Sequence, residues 1–521
     1  TMRILACFLA ILRIVFAHRI LGIFPLAAKS HDALYQSIVG GLLERGHQVT
    51  VIRSLPAPPG SPENYEEFLL NDMEPIADSF NLENTFPPNL WNVYRDFSGL
   101  IEMSERMCSS LLKSNALSSV LNIHRDNPFD LALIELFTTD CPLGIAAEMN
   151  LTTIGISPCA LMPWHYTKLN LMDFPSFIPA EYTAFATKMT FWERMENFLI
   201  GKVMKILFRL RLQEQDNVLL ERRFGSHVKK VENLDQNIAL ALVNQHFSVS
   251  GVKPLNPRVV EIGGAHIRRK GALSVDIEKF LNSSSKTGVI YINWGSIIRV
   301  SSLPTRHLEA LRQALNRLPM KVIWKWEEGI PFPNKSSKIL ARNWLPQLEI
   351  LCHPATKVFL THGGLLSANE VASCGKPVIV TPFFGDQHLN AAAMVEHGVG
   401  LLLPLEDFSV ETIYSRIREI LQPDYQLRAQ QMSFAFNDRL LEPLPLAIWW
   451  IEHILGNPSS AEFLRTLPVD LDYMKANNFH DPSPLHLGIF FSILGLGFLS
   501  IIIGICRGFT KVKLGLQKKF S

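Results

Sequence analysis

The sequence has neither an excess of charge of one sign nor many cysteines. Its 50 lysines and arginines nearly balance 48 aspartates and glutamates, which excludes the broad basic surface of a nucleic-acid-binding protein. The seven cysteines show no spacing typical of a metal site, so they are not expected to bind a metal. Five of them lie away from the chain ends. At most two disulfides can form among these five, and most are expected to be core residues.

Internal repeats and low-complexity tracts are also lacking, which excludes a solenoid or a largely disordered chain. Hydrophobic residues make up 47% of the 521 positions, and 10% are aromatic. This composition is sufficient for large buried cores. The length exceeds that of one ordinary core and predicts two domains of roughly 200 residues or more each.

The beginning of the chain predicts a signal peptide over residues 1–17. Arg3 precedes an apolar run, and Val15 and Ala17 offer small side chains at the positions that a signal peptidase reads. The domains that follow are therefore expected to enter the secretory pathway. In agreement with this expectation, the sequence contains three acceptor sites for N-glycosylation, at Asn150, Asn282 and Asn334.

The other end of the chain predicts a membrane anchor at 486–506, because residues 487–506 carry no charge and are long enough to cross a bilayer. The basic tail at 507–521 is expected to face the cytosol. Lys518 and Lys519 match a dilysine address for retention in the endoplasmic reticulum. We therefore expect a single-pass type I protein of the endoplasmic reticulum membrane, with its domains in the lumen.

Apolar strands and helical stretches alternate in both halves, a pattern that predicts α/β domains with parallel sheets. Proline, glycine and serine cluster at 256–284, which predicts a linker between an N-terminal domain at 18–255 and a C-terminal domain at 285–455. A return segment and juxtamembrane linker is expected at 456–485. Strands are predicted at 20–26, 49–53, 130–136, 152–157, 288–294, 321–326, 338–343, 357–361, 377–381 and 400–403.

A basic and strongly apolar stretch at 191–212 allows two interpretations. It contains Lys202, Lys205, Arg209 and Arg211 among large apolar side chains, so it can lie on a membrane surface. It can equally form a helix that covers the first sheet. The sequence leaves both interpretations open.

The segment from Trp344 to Gln387 carries the residues that indicate a phosphate-bearing ligand. His362, Gly363 and Gly364 follow an apolar strand and precede a helix. Glycines there let the backbone approach an anion, and the free N–H groups of a helix N-terminus bind phosphate. His362 and Ser367 add side-chain donors to the same place.

Other residues of this segment suit the remaining parts of a sugar nucleotide. Glu370 would repel a diphosphate that it faced, so it is expected to accept hydrogen bonds from ribose hydroxyls. Trp344 offers a flat apolar face for a nucleobase. Asp386 and Gln387 open the next helix, where a carboxylate and an amide can hold sugar hydroxyls.

Together, these residues and their spacing resemble the signature of the UDP-glycosyltransferase family, which includes animal UDP-glucuronosyltransferases and insect and plant glucosyltransferases. Residues 191–197 and 257–264 and the Gly295-Ser296 turn match the family as well. The resemblance implies a GT-B fold, in which two Rossmann-like parallel-sheet domains face a cleft. The N-terminal domain would bind the acceptor and the C-terminal domain the UDP-sugar, which is the donor substrate. No metal and no other cofactor are implied.

The resemblance also implies a role for each residue of the donor segment. Trp344 would stack on uracil and Gln347 would read the uridine. Asn293-Trp294, ahead of the Gly295-Ser296 turn, departs from the smaller or aliphatic residues common in the family. The pyrophosphate would be held by His362, Gly364 and Ser367 with Ser296 nearby, the ribose by Glu370, and the sugar by Asp386 and Gln387.

His31 is the candidate catalytic base. It lies just past the first strand at the start of a helix, whose positive end favours a neutral imidazole that can accept a proton. The family's base occupies the same position. Its carboxylate partner is either Glu135, at the end of a later strand, or Asp140, and both candidates remain. The loops at 56–86 and 160–191 are expected to line the acceptor pocket.

These expectations combine into a function. The chain would transfer a hexose, with inversion, from a UDP-sugar to a hydroxyl of a small lipophilic acceptor, for detoxification or for conjugation of a hormone or metabolite. Glucose is favoured because 23–25 and 139–141 look like invertebrate members, and glucuronate is the alternative donor. A catalytically silent, membrane-anchored protein that binds a UDP-sugar or a partner is the alternative of another class. A homo-oligomer is a further candidate assembly.

Overall fold

The computed structural model describes residues 17–58, 60–73, 90–268, 271, 273–327, 337–464, 489 and 491–500. Within these ranges the chain forms two parallel β-sheets with helices packed on their faces. The predicted signal peptide up to residue 16, the sequon at Asn334, residues 465–485 of the return segment and the basic tail lie outside them. In the predicted anchor, 491–500 are helical. Across the described ranges, no helix has both the length and the apolar character needed to span a membrane.

The first sheet has seven strands in the order β3-β2-β1-β4-β5-β6-β7, and every neighbouring pair is parallel. Its central strands are buried on both faces, which explains their almost continuous apolar sequences. The strands are β1 (Arg19–Phe24), β2 (Gln48–Arg53), β3 (Tyr65–Leu69), β4 (Leu131–Glu135), β5 (Thr152–Ser157), β6 (Ile238–Val243) and β7 (Val259–Glu261).

The second sheet has six parallel strands in the order β10-β9-β8-β11-β12-β13. In the first sheet β1 lies between β2 and β4, and in the second sheet β8 lies between β9 and β11. This arrangement creates a crevice at the carboxyl ends of the strands, where open α/β sheets bind ligands. The strands are β8 (Val289–Asn293), β9 (Lys321–Lys325), β10 (Ile339–Arg342), β11 (Thr356–Thr361), β12 (Val378–Val380) and β13 (Gly400–Leu402).

Helices connect the strands and cover both faces of each sheet. Those of the first half are α1 (Lys29–Glu44), α2 (Leu90–Lys113), α3 (Asn115–Asp126), α4 (Cys141–Glu148), α5 (Pro163–Lys168), α6 (Phe191–Leu207), α7 (Glu214–Phe224) and α8 (Phe247–Ser250). Those of the second half are α9 (Val275–Asn282), α10 (Thr305–Asn316), α11 (Gln347–Cys352), α12 (Leu365–Cys374), α13 (Gln387–Glu396), α14 (Val410–Ile420), α15 (Pro423–Asn437), α16 (Pro443–Gly456) and α17 (Ser460–Leu464).

The chain divides differently from the predicted boundaries at two places. Strand β7 lies inside the predicted linker 256–284 but pairs with β6, so the first sheet extends beyond residue 255. Helix α16 lies within the predicted C-terminal domain but packs on α1 of the first domain, where Ile451 joins the core around Leu34. The return to the first domain therefore begins at Pro443 rather than at residue 456.

The stretch at 191–212 forms α6 and the π-helical turn that follows it. One face of α6 is buried, with Met195 and Met204 in the core, whereas Trp192 and Ile206 are exposed. The helix therefore covers the first domain and also presents apolar side chains to the surroundings.

Two disulfides form within the described residues. Cys108–Cys141 joins α2 to α4, and Cys352–Cys374 joins α11 to α12. Cys159 remains a buried thiol. The sequence limited the number of disulfides to two but gave no pairing.

Candidate active site

His31 and Glu135 form a buried pair at the carboxyl ends of β1 and β4, which are adjacent strands. Nδ1 of His31 lies 2.9 Å from Oε1 of Glu135, and the two residues are only 9% and 4% exposed. This hydrogen bond assigns the proton of a neutral imidazole to Nδ1 and leaves Nε2 able to accept one. Nε2 lies 3.8 Å from Sγ of Cys159.

Asp140, the other candidate partner, does not contact His31. Its carboxylate accepts hydrogen bonds from Nζ of Lys168 and, at 2.9 Å, from Nε2 of Gln213. Both of these contacts are buried, and they hold the start of α4 against the helices of the first domain. The structure therefore places Glu135, and not Asp140, beside the candidate base.

On the donor side, the ring of His362 lies close to two glycines. A Cβ atom would lie 2.5 Å from His362 Nε2 at Gly364 and 2.6 Å from it at Gly295. Burial, with a contribution from the charge of Lys325, lowers the pKa of His362 to about 3. The imidazole is therefore neutral near pH 7, and it can offer a hydrogen bond but no positive charge.

Lys325 is a residue of this site that the sequence reasoning missed. It lies at the end of β9, and its Nζ donates to the carbonyl of Gly295. Burial lowers its pKa, and the charge of Lys29 lowers it further. Its signal in the sequence was a lysine at the carboxyl end of β9, a strand with an apolar centre that lies beside the strand leading to the Gly295 turn.

The N-terminus of α12 lies at the same place. Gly364 caps this helix without a side-chain hydrogen bond, and a helix N-terminus offers N–H groups to an anion, although the N–H of Leu365 already interacts with the Asp386 carboxylate. Ser296 lies half-buried in the turn that contains Gly295. A glycine-rich turn, a helix N-terminus and a lysine together form a site suited to a diphosphate.

Gln347, Ser367 and Glu370 are joined by hydrogen bonds. Nε2 of Gln347 donates to Oγ of Ser367 at 2.9 Å and also to Oε2 of Glu370. Asn293, which departs from the family pattern, donates to Oε1 of Gln347 at 2.6 Å and accepts from the N–H of Gly295 at 2.9 Å. It thereby connects the predicted uridine residues to the phosphate turn.

Trp344 follows β10 and is 67% exposed, an unusual position for so large an apolar side chain. Its ring faces the first domain, because Nζ of Lys29 lies 5.8 Å from the ring centroid. An exposed aromatic face at this edge of the sheet can stack on a nucleobase.

Asp386 and Gln387 begin α13, directly opposite the first domain. Asn390 donates to Oδ2 of Asp386 at 3.0 Å and to the carbonyl of Gly363 at 2.8 Å. Burial raises the pKa of Asp386, while the hydrogen bond from Asn390 and the proximity of His31 oppose this shift. Oε1 of Gln387 accepts from the backbone of Phe383 at 2.9 Å, so its amide NH₂ group is the part that can reach a sugar. The predicted donor residues and the His31–Glu135 pair thus face one another.

The chain is similar over most of its length to known proteins. The model of the "UDP-glucoronosyl and UDP-glucosyl transferase" family matches residues 21–481. UDP-glucosyltransferase 2 of Dactylopius coccus is 31% identical to the chain and covers 89% of it, with 88% of the relative matched. UDP-glucuronosyltransferase 1A6 of Mus musculus is 28% identical, with 85% and 84% covered.

Solved structures show the same fold at low identity. The calicheamicin glycosyltransferase CalG4 matches with a TM-score of 0.56 and 15% identity, over 85% of this chain and 99% of that one. A UDP-glucosyltransferase from Polygonum tinctorium matches with a TM-score of 0.56, 17% identity and the same coverage. These likenesses show that the two sheets form a GT-B fold.

Proposed function

Because the chain belongs to the UDP-glucoronosyl and UDP-glucosyl transferase family, we propose that it transfers glucose from UDP-glucose to a hydroxyl group of a small lipophilic acceptor. The observation that carries this proposal is the buried His31–Glu135 pair facing the donor residues across the cleft. Such a transfer would conjugate foreign compounds or endogenous metabolites.

In the proposed reaction, Nε2 of His31 accepts the proton of the acceptor hydroxyl while its oxygen attacks the anomeric carbon. The bond between that carbon and the diphosphate oxygen breaks, and UDP leaves with the bonding electrons. Attack from the opposite face inverts the configuration. Glu135 stabilises the imidazolium that forms, because its carboxylate lies 2.9 Å from Nδ1.

The departing diphosphate gains negative charge during this step. The N-terminus of α12 and the ammonium group of Lys325 lie where they can stabilise it, and neutral His362 can donate a hydrogen bond. Stabilising groups fixed before the reaction act more strongly than water, because they need no reorganisation. Trp344, Glu370 and Asp386 would orient the donor.

Glucose is favoured over glucuronate as the donor, in part because a relative named as a glucosyltransferase is 31% identical whereas one named as a glucuronosyltransferase is 28% identical. We also propose that the protein resides in the membrane of the endoplasmic reticulum with its domains in the lumen. Two disulfides support an oxidising compartment.

The test is release of UDP from UDP-glucose in the presence of a panel of phenols and steroids. Turnover is expected for the unmodified protein and a loss of at least about a hundredfold for His31→Ala, because general base catalysis contributes this much. His227→Ala, at a mostly exposed histidine, should behave like the unmodified protein. Binding of UDP-glucose without UDP release would instead indicate a catalytically silent binding protein.

A further inference from the structure

Asn244 and Asn369 are two fully buried asparagines that belong to different domains and contact each other. Asn244 follows β6 of the first domain, Asn369 lies on α12 of the second, and each is 0% exposed. Nδ2 of Asn369 donates to Oδ1 of Asn244 at 3.1 Å and to its backbone carbonyl oxygen at 3.5 Å. Surfaces between the domains of one chain usually permit relative motion, so a buried amide pair there calls for an explanation.

Two backbone groups of the first domain orient the side chain of Asn244. Its Nδ2 donates to the carbonyl of Pro158 at 2.9 Å, and its Oδ1 accepts from the N–H of Gly264 at 3.3 Å. A carbonyl group cannot donate and an N–H group cannot accept, so this amide cannot be turned over. Its oxygen therefore faces the second domain, and Asn369 meets that oxygen with its NH₂ group.

From Asn244 the hydrogen bonds continue to the candidate base. The N–H of Asn244 donates to the carbonyl of Ser157 at 2.9 Å, and Oγ of Ser157 donates to the carbonyl of Cys159 at 3.0 Å. Sγ of Cys159 lies 3.8 Å from Nε2 of His31, the atom proposed to accept the proton. Asn244 thus holds the segment that lies against the base.

In the second domain, Asn369 lies between two of the proposed donor ligands. Ser367 is two positions before it and Glu370 directly follows it, and both accept hydrogen bonds from Nε2 of Gln347. Successive residues of an α-helix are turned by about 100°, so Asn369 points to another side of α12 than these two residues. One side of this helix can therefore hold the donor while another contacts the first domain.

A contribution to stability explains this pair poorly. Oδ1 of Asn369 has no hydrogen-bond partner in the described part of the chain, and burying an unsatisfied polar atom costs free energy. A well-packed apolar side chain would stabilise the same contact without this cost. A hydrogen bond is directional, however, and is lost when either surface shifts. The pair is therefore suited to selecting one arrangement of the two domains.

We propose that Asn369 and Asn244 are positioning residues that hold the donor helix α12 in register with the catalytic base. The inference rests on the proposed function, since it takes His31 as the base and Ser367 and Glu370 as donor ligands. The acceptor oxygen has to meet the anomeric carbon opposite the leaving diphosphate, although base and donor lie on different domains. A misplacement of about 1 Å can lower the rate of such a step by about a hundredfold.

The test measures kcat and KM for UDP-glucose in the full-length protein, at a saturating concentration of the phenol that gives the fastest turnover. Asn369→Leu removes the amide at similar volume, so kcat should fall by about tenfold or more. The affinity for UDP, measured by calorimetric titration, should change by less than about twofold, because the donor ligands lie on another side of α12.

A double-mutant cycle separates this contact from other effects of the substitutions. Asn244→Ala should lower kcat as well, because it removes the same hydrogen bond from the other side. Adding Asn369→Leu to Asn244→Ala should then cause little further loss of kcat, since both changes break one contact. If Asn369→Leu does not fold, Asn369→Ala makes the same test with a smaller side chain.

Asn64→Leu is the matched control. Asn64 precedes β3 at the amino ends of the strands, and its Nδ2 donates to the carbonyl of His47 at 2.7 Å within the first domain. The variant makes the same chemical change away from the contact between the domains. Its kcat should equal that of the unmodified protein.

An unchanged kcat in Asn369→Leu and Asn369→Ala, with UDP binding intact, would overturn the inference. Fully multiplicative losses of kcat in the double variant would also overturn it, because the two residues would then act independently. The proposed function would still stand on turnover of UDP-glucose by the unmodified protein. A lack of turnover by the unmodified protein would contradict the proposed function itself.

Discussion

Glu370 is the proposed ribose ligand, and its carboxyl group titrates near neutral pH. Burial raises its pKa to about 7, although the hydrogen bond from Gln347 opposes the shift. A carboxylate can accept hydrogen bonds from both ribose hydroxyls. A protonated carboxyl accepts fewer hydrogen bonds, and its own O–H group needs an acceptor. The charged form, present above the pKa, should therefore bind the donor more tightly.

We expect the affinity for UDP-glucose to increase by up to about tenfold between pH 6 and pH 8, because a carboxyl with a pKa of about 7 goes from roughly one-tenth to roughly nine-tenths ionised over that range. UDP-glucose suits this measurement because its doubly esterified diphosphate does not titrate in that range. Calorimetric titration at several pH values gives the dissociation constants. Glu370→Gln should bind more weakly at pH 8 and lose the pH dependence. If the affinity of Glu370→Gln still depended on pH, another titrating group would have to cause that dependence.

At the residue scale, the sequence identified the side chains that belong to a local motif. His362, Ser367 and Glu370 lie within nine consecutive positions at a strand-to-helix turn, so their spacing alone indicated a shared site. Lys325 comes to the site from a distant segment of the chain. No periodicity or spacing connects it to the donor segment, because its position depends on strand order.

At the scale of elements, the turns after β8 and β11 are built around one imidazole ring. A larger residue in place of Gly295 would meet the His362 ring. Gly295 also has a φ of 79°, in the region that glycine adopts readily. Gly364 has a φ of −61°, which any residue tolerates. The nearest obstacle to a larger residue at Gly364 is therefore the His362 ring, which also lies close to Gly295.

Gly364→Ala should displace the His362 ring and the N-terminus of α12 from the phosphate site. We expect the affinity for UDP to fall by about tenfold or more, because several phosphate contacts depend on this geometry. Calorimetric titration with UDP measures the loss. Gly99→Ala, in α2 where a Cβ meets no atom within 4 Å, should bind UDP normally and be slightly more stable. Normal UDP binding by Gly364→Ala would show that the close contact between the ring and Gly364 is not required.

The strands show which elements a sequence specifies well. All ten predicted strands are present, with ends within two residues of the expected ones, because a strand buried on both faces needs a continuous apolar run. The three unpredicted strands lack a distinctive signal. β3 is a polar edge strand, β7 has three residues, and the Ala- and Leu-rich β6 resembles a buried helix as much as a strand.

At the scale of the whole molecule, the chain crosses between the domains and returns. Helix α16 packs on α1, the helix that begins with the candidate base, and contributes Ile451 to a core with Leu34 and Ile38. Arg45 at the end of α1 donates two hydrogen bonds of 2.8 Å to Glu452. This packing could not be predicted from the sequence, because an apolar helix face does not specify which of the two domains it packs on.

Ile451→Ala tests whether this return helix stabilises the first domain. The side chain is fully buried, so its truncation should lower the free energy of unfolding by about 2–5 kcal/mol through lost burial and a remaining cavity. Denaturant unfolding followed by tryptophan fluorescence measures the change. Leu440→Ala, at a leucine that is 99% exposed, should leave the transition in place. If α16 merely rests on the surface, the two variants would unfold alike. If it completes the core, Ile451→Ala should also lower acceptor turnover near its unfolding midpoint, because α1 carries His31.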